Sequence, residues 1–389
     1  MTGDRIADGI RRVGVMDATL DLFEGQYPVP DGVSYNAYLI EDERTALLDT
    51  VDLRRQGEWM SRLERVLDGR GVDYLVISHM EPDHAGSIRA FTERFPSATL
   101  IGNEKTFTML DQFTNGSIAS RRRTVTEDDT LSLGAHTLRF MLAPMVHWPE
   151  VMVSYEEKEK ILFSADAFGR FGSMDEREPW EAEARRYYFG LLGRYGEQVQ
   201  ALLRKLARLE IRGICPLHGP TLEGAAMARA LELYGAWSSY KPQERGVLIA
   251  YAGFHGHTMK AARMMADALI ELSDRISLVD LSREHVSHAV AEAFRCDRMV
   301  LACATYDGEM APAMQAFLGA LKHRGYRNRL VALIENGSWA PTAARKMREM
   351  LEEMKQVTVL DMQVTIRSAP SEDDRKEIEM LALEMDNMA

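Results

Sequence analysis

Within six residues, His79-Met-Glu81-Pro-Asp83-His84, the sequence sets two imidazoles and two carboxylates. They follow the apolar run Tyr74-Leu-Val-Ile-Ser78 and precede Gly86 and Ser87, so the cluster sits on a turn between a buried-type strand and a helix start. Four such groups beside apolar flanks are costly to desolvate unless a divalent metal, or a pair of them, neutralises them. A solvated acidic loop accounts for any one of the four, but poorly for the set. Three further ligand-capable side chains each end an apolar run: His147 in Ala143-Pro-Met-Val-His147-Trp-Pro-Glu150, Asp166 in Ser164-Ala-Asp166-Ala-Phe-Gly169, and His218 in Cys215-Pro-Leu-His218-Gly-Pro220. Glu150 reads either as a carboxylate orienting an imidazole or as a solvated acid. His136, His285, His288 and His323 stand alone in polar or helical stretches and read as surface or core residues.

A second kind of chemistry lies further along. The strand-like run Val247-Leu-Ile-Ala-Tyr251 leads into Gly253-Phe254-His255-Gly256-His257-Thr258, which opens a helix. Backbone N–H groups at such a turn, with the helix dipole behind them, suit a phosphate. The two glycines allow close backbone approach. Two more loops, Ala304-Thr305-Tyr306-Asp307-Gly308 and Asn336-Gly337-Ser338-Trp339-Ala340, follow later strands of the same alternation. In an open α/β sheet such loops line the crevice at the strand C-terminal ends. The missing G-x-G-x-x-G opening disfavours NAD.

The elements that must hold these groups divide in two. From Val33 to about Arg212, strand candidates (Tyr35–Ile40, Thr45–Asp49, Tyr74–Ser78, Ala98–Ile101, Thr137–Met141, Val151–Tyr155, Ile161–Ser164) mix irregularly with helical spacing over Arg54–Leu67, Gly86–Phe95 and Glu181–Leu209. Another helix is expected over Leu222–Tyr240. The pattern suits two packed sheets flanked by helices. Lys241-Pro-Gln-Glu-Arg245 is the expected linker, giving domains 1–243 and 244–389. Beyond it five βα units alternate regularly, the mark of a parallel sheet covered on both faces. The net charge of −12 over 389 residues argues against nucleic acid and anionic membranes as partners, and no apolar run is long enough to span a bilayer. The acidic start, Met1-Thr-Gly-Asp-Arg-Ile-Ala-Asp8, lacks signal-peptide character, so a cytoplasmic protein is expected. Cys215, Cys296 and Cys303 form no C-x-x-C pair, which leaves a disulfide framework, an iron–sulfur cluster or a Cys₄ iron site without ligands.

The ordered set H-x-E-x-D-H, H-W-P-E, S-A-D-A-F-G and H-G-P resembles the flavodiiron protein family, across nearly the whole chain. The first half is similar to its metallo-β-lactamase-like αββα domain. The second is similar to a flavodoxin-like doubly wound domain of strand order 2-1-3-4-5 that binds FMN, with Tyr306 and Trp339 as flat surfaces for the isoalloxazine. The resemblance implies a diiron centre with His79, Glu81 and His147 on one iron, Asp83, His84 and His218 on the other, and Asp166 bridging. In that family the position of His84 is not always a direct ligand. It implies a reductase of O2 to water, NO to N2O, or both, fed by FMN. An external donor such as rubredoxin or a flavin- or deazaflavin-dependent reductase is expected, because the sequence reaches Ala389 without a rubredoxin extension. The same resemblance implies a head-to-tail homodimer. Two departures stand in the phosphate loop: Gly253 where a hydroxyl residue is common, and His257 where Asn or Ser is common. The alternative is a zinc-dependent hydrolase of the metallo-β-lactamase fold carrying a flavodoxin module. Such enzymes usually have His where Glu81 stands, and carboxylate for imidazole makes the site harder and better suited to iron.

Overall fold

The computed structural model describes residues 4–175, 177–273 and 275–388. They divide into two compact units, one up to Tyr234 and one from Gly235 onward.

Among the described residues of the first unit, two large sheets form. One has seven strands in the spatial order Asp4–Ala7, Ile10–Arg12, Tyr38–Ile40, Ala46–Leu48, Tyr74–Val76, Thr99–Gly102, Arg121–Thr124. The other has six, ordered Thr130–Ser132, Thr137–Leu142, Met152–Glu156, Ile161–Phe163, Gly213–Cys215, Leu222–Glu223. One core joins them, with Ile40, Leu48, Val76 and Ile101 from the first sheet packed with Leu138, Phe140, Met152 and Phe163 from the second. The parallel steps need crossovers: Gln56–Leu67 precedes Tyr74–Val76, Glu104–Thr114 precedes Arg121–Thr124, and Glu181–Leu191 with Gly196–Leu206 precede Gly213–Cys215. With the inner faces filled by the shared core, these helices take the outer faces, which is the expected αββα arrangement. Trp59, Leu63 and Leu67 are the buried stripe of the first, at the spacing that keeps one helical face inward.

Two departures from the sequence reading have plain causes. The run Tyr35–Ile40 is not one strand. Val33–Tyr35 pairs with Val15–Asp17 in a separate ribbon, while Tyr38–Ile40 joins the large sheet. Between them Asn36 leaves the ladder, and its side-chain amide donates to the carbonyls of Pro216 and Gly219, 2.8 Å each. The helical stretch 181–209 is two helices, interrupted by a 3₁₀ turn at Gly193–Tyr195.

Gly32 sets the entry to that ribbon with φ +69°, and a Cβ there would lie 2.2 Å from the Asp17 carbonyl oxygen. Gly25 has a similar φ of +66° but open space around it. Gly32→Ala should therefore lose about 2–4 kcal/mol, the left-handed backbone cost plus the clash, whereas Gly25→Ala should lose only the backbone part of about 1–2 kcal/mol. Urea unfolding of the two variants side by side checks the difference.

Among the described residues of the second unit, one main sheet runs Ile276–Asp280, Glu244–Ala252, Cys296–Tyr306, Arg329–Asn336, Val357–Ile366, all neighbours parallel. Counted along the chain this is 2-1-3-4-5, as expected of a flavodoxin-like domain. Its first strand is buried at every position from Gly246 to Ala252, so the run is apolar rather than alternating. The segment after Gly235 already packs on this unit: Trp237 donates to the Gln243 amide oxygen at 3.1 Å, and Arg329 donates to the Tyr240 carbonyl at 2.9 Å.

Candidate metal centre and nucleotide cleft

In the first unit the candidate ligands leave strand ends and meet. The loop after Tyr74–Val76 is anchored from beneath by Asp49, whose carboxylate accepts the Ser78 N–H at 2.7 Å and the His79 N–H at 3.3 Å. Pro82 then starts the short helix Pro82–Ala85, which turns Asp83 and His84 inward. Asp166 follows Ile161–Phe163, His218 follows Gly213–Cys215, and His147 lies in the connection between Thr137–Leu142 and Met152–Glu156.

All seven candidates are buried, and His79 and His218 are fully so. Their ligand-type atoms form two groups, His79–Glu81–His147–Asp166 and Asp83–His84–His218, the atoms of each lying within 4.8 Å of one another. His147 Nε2 is 3.1 Å from Glu81 Oε2 and 2.9 Å from Asp166 Oδ2, and His79 Nε2 is 3.2 and 3.3 Å from the same two oxygens. In the other group His84 Nε2 and His218 Nε2 face each other at 3.1 Å, with Asp83 Oδ2 at 3.3 and 3.2 Å from them. Asp166 touches both groups, because its Oδ1 lies 3.2 Å from His84 Nε2.

The outward nitrogens decide which way the lone pairs point. His79 Nδ1 is 2.7 Å from Glu150 Oε1, and His218 Nδ1 is 2.7 Å from the Ser34 carbonyl oxygen. A carbonyl only accepts, so His218 carries its proton on Nδ1 and directs an Nε2 lone pair inward. Glu150 does the same for His79. The inward set is then rich in acceptors and short of donors. Both Asp83 carboxylate oxygens and Asp166 Oδ1 are buried without a hydrogen-bond partner. Buried acceptors crowded in this way are what cations satisfy, and carboxylate with imidazole suits a divalent first-row metal. The residues fit a metal pair.

With only protons to balance it, the same cluster shifts its own titrations. Burial alone would lower the His147 imidazole, yet hydrogen bonds to Asp166 and Glu81 push it up to about 9. Burial alone would raise the Asp166 carboxyl, but the charges of His79 and His84 hold it well below the usual carboxylate range. Glu24, an exposed residue overall, turns its carboxyl to Glu81. Burial of that carboxyl and the hydrogen bond to Glu81 push it up to about 8. Glu24 stands at the tip of the hairpin Leu22–Phe23/Tyr27–Pro28, beside a cavity of about 310 Å³ also lined by Tyr35, Arg54, Glu81 and Asp83.

Sequence reasoning passed over Asp49 and Glu24. Asp49 carried the signal used for the ligands, an acid ending an apolar strand. Glu24 carried none, since its hairpin strands have two residues each.

In the second unit the three predicted loops close one cleft of about 670 Å³. Phe254, His255, His257 and Thr258 line it, with all of 304–308 and 336–340, joined by Thr342 and Ser368, which the sequence reading lacked. Gly253 and Gly256 do not line it but shape its rim. Gly256 caps the helix His257–Leu269 with φ 85°, and a Cβ on Gly253 would fall 2.7 Å from the Thr258 Cβ. A tight turn at Asp307 and Gly308, both at positive φ, pairs Tyr306 with Glu309 and stands the Tyr306 ring beside Phe254, centroids 5.1 Å apart. Trp339 is 89% exposed on the opposite loop. Aromatic faces left open on a cleft of this size fit a flat heteroaromatic ligand, and the glycine-backed helix start fits its phosphate. The residues fit a flavin nucleotide.

Fold and sites together define a metallo-β-lactamase-like unit joined to a flavodoxin-like unit. Comparison with known proteins agrees. A family model described as an ODP family beta lactamase matches residues 33–219. The rubredoxin-oxygen oxidoreductase of Megalodesulfovibrio gigas is 30% identical over 400 residues, covering 98% of this chain and 97% of that protein. The nitric oxide reductase of Moorella thermoacetica is 28% identical, with 95% and 94% covered. The solved structure of a rubredoxin oxygen:oxidoreductase from Desulfovibrio gigas superposes with a TM-score of 0.92 at 27% identity, covering 100% of this chain and 98% of that one. The chain belongs to the flavodiiron protein family. Among the described residues, no helix is long and apolar enough to cross a membrane.

Proposed function

We propose that this chain is a flavodiiron oxidoreductase that reduces O2 to water, NO to N2O, or both, drawing electrons through FMN from a separate donor. The observation that carries the reading is the convergence of seven buried imidazole and carboxylate side chains, some of whose inward oxygens have no hydrogen-bond partner. Relatives named for oxygen and nitric oxide reduction support it. When bound, the iron pair supplies electrons and Lewis acidity to a diatomic gas, and FMN relays electrons from the donor.

The chain's own residues supply the rest. His79, Glu81 and His147 would hold one iron, Asp83, His84 and His218 the other, with Asp166 shared. Glu150 and the Ser34 carbonyl keep two imidazoles in the tautomer whose Nε2 is free. Asp49 fixes the backbone of the His79 loop, and Asn36 braces the His218 loop. In the second unit Phe254, Tyr306 and Trp339 would cover the flavin ring while the 253–258 turn takes its phosphate. Rubredoxin or a flavin- or deazaflavin-dependent reductase is the donor in this reading. The assembly is a head-to-tail dimer and the compartment the cytoplasm. A fully active monomer in sedimentation would remove the dimer.

Metal uptake should displace protons. His147, pushed up to about 9 in the metal-free cluster, carries its proton at neutral pH and must lose it to bind through Nε2. Anaerobic addition of ferrous iron at about pH 7.5 should therefore release about one proton or more per chain. The part of that release that comes from His147 should fade as the starting pH passes about 9. A pH-stat titration measures it.

The function itself is tested by anaerobic reconstitution with iron and FMN, then timing O2 and NO loss with one donor. Consumption should require both cofactors. Loaded protein that consumes neither gas overturns the reading, as does zinc-loaded protein with thiolesterase turnover.

A further inference from the structure

We infer that the FMN phosphate is bound in this chain by two imidazoles, His255 and His257, in place of a side-chain hydroxyl at the head of the loop. The inference rests on the reading that the cleft of the second unit takes FMN.

The Thr258 side chain fills the space that the usual donor at position 253 would need. A Cβ on Gly253 would meet the Thr258 Cβ at 2.7 Å and its Oγ1 at 2.8 Å, and Thr258 is itself buried. No Ser or Thr can stand at 253 without displacing Thr258. What remains for a dianion is the start of the thirteen-residue helix His257–Leu269, the Thr258 hydroxyl, and whatever charge the cleft offers. Among the cleft-lining residues the only groups able to carry positive charge are His255 and His257. His257 is the first residue of that helix, and His255 precedes the left-handed Gly256.

The groups facing them do not replace that charge. Across the cleft the turn after Cys296–Tyr306 brings Asp307 and the Tyr306 phenol, while 336–342 and Ser368 bring no charged side chain. On the far side of the loop, a smaller cavity sets Asp280 and Arg283 beside Gly253 and Phe254. On the helix itself Lys260 lies one turn on and is exposed. A protonated imidazole holds a phosphate by charge as well as by hydrogen bond, and a neutral one does not, so phosphate recognition in this loop should strengthen on acidification.

The test compares FMN with riboflavin, which lacks the phosphate, by flavin fluorescence on the deflavinated full chain at about pH 6 and 8. In the wild type the FMN-to-riboflavin affinity ratio should rise about fivefold or more on acidification. In His255→Asn/His257→Asn the ratio should fall about tenfold at the lower pH, the scale of a lost charge-assisted hydrogen bond. The rise should also disappear or reverse, because the phosphate takes up its own proton near about pH 6. Both side chains are exposed, and riboflavin affinity reports whether the cleft of the variant is intact. A double variant with the wild-type ratio and pH slope overturns the imidazole assignment while leaving FMN binding in place. A wild-type chain that binds neither flavin overturns the cofactor reading, and this inference with it.

Discussion

Asp166→Asn should lower donor-driven gas consumption by more than about 100-fold, beyond what removal of an outer partner costs. Bound iron should fall from two ions per chain to one or none, with bound FMN unchanged. The reason is where the two oxygens go. Oδ2 lies with His79, His147 and Glu81, while Oδ1 lies 3.2 Å from His84 Nε2 and has no hydrogen-bond partner. Asn keeps the shape but removes the charge. It also puts an NH₂ donor where one group or the other expects an acceptor. Iron analysis beside the flavin absorbance separates a local effect from a folding failure. Wild-type iron content with wild-type consumption would mean that Asp166 is not the shared ligand.

The same residue shows what was legible in the sequence. Asp166, His218 and the 79–84 cluster each follow a run of buried-type residues, and strand ends are where a rigid sheet delivers side chains to one edge. The parallel sheet of the second unit was equally readable, because continuous apolar strands alternate there with helices long enough to show their period. The opening of the chain was not. Ile10–Arg12 and Val15–Asp17 have three residues each, too few for alternation to register. Their partners, Tyr38–Ile40 and Val33–Tyr35, are fixed by tertiary pairing. The helix Glu104–Thr114 was missed for another reason. It buries only Thr106, Phe107 and Leu110, and much of its definition comes from Asn103, which caps it by accepting the Thr106 N–H. That Asn103 also donates to the Glu150 carbonyl at 2.6 Å. A helix cap thereby helps to hold the segment carrying Glu150, a coupling that no local pattern displays.

Glu150 is where that coupling should have its largest consequence for stability. The sequence allowed it to be either a solvated acid or a partner of an imidazole. In the structure it is buried, and one carboxylate oxygen lies 2.7 Å from His79 Nδ1 and accepts the Met80 N–H at 2.8 Å. Burial alone would raise this carboxyl, but the hydrogen bond and charge of His79 hold it below the usual range. Glu150→Ala leaves a buried imidazole N–H and a backbone N–H without acceptors. The expected loss is about 3–5 kcal/mol of stability, as for breaking a buried pair. With the imidazole no longer oriented, iron affinity should fall about 10–100-fold. Glu150→Gln separates the two effects. Its amide oxygen can still accept both N–H groups, so most of the stability should return. The lost negative charge leaves His79 a poorer ligand, so iron affinity should stay below wild type. Chelator competition reads the affinity, and urea unfolding of the metal-free protein reads the stability. If Glu150→Ala holds iron as tightly as wild type, Glu150 does not position His79; if Gln restores neither quantity, its oxygen is not the acceptor.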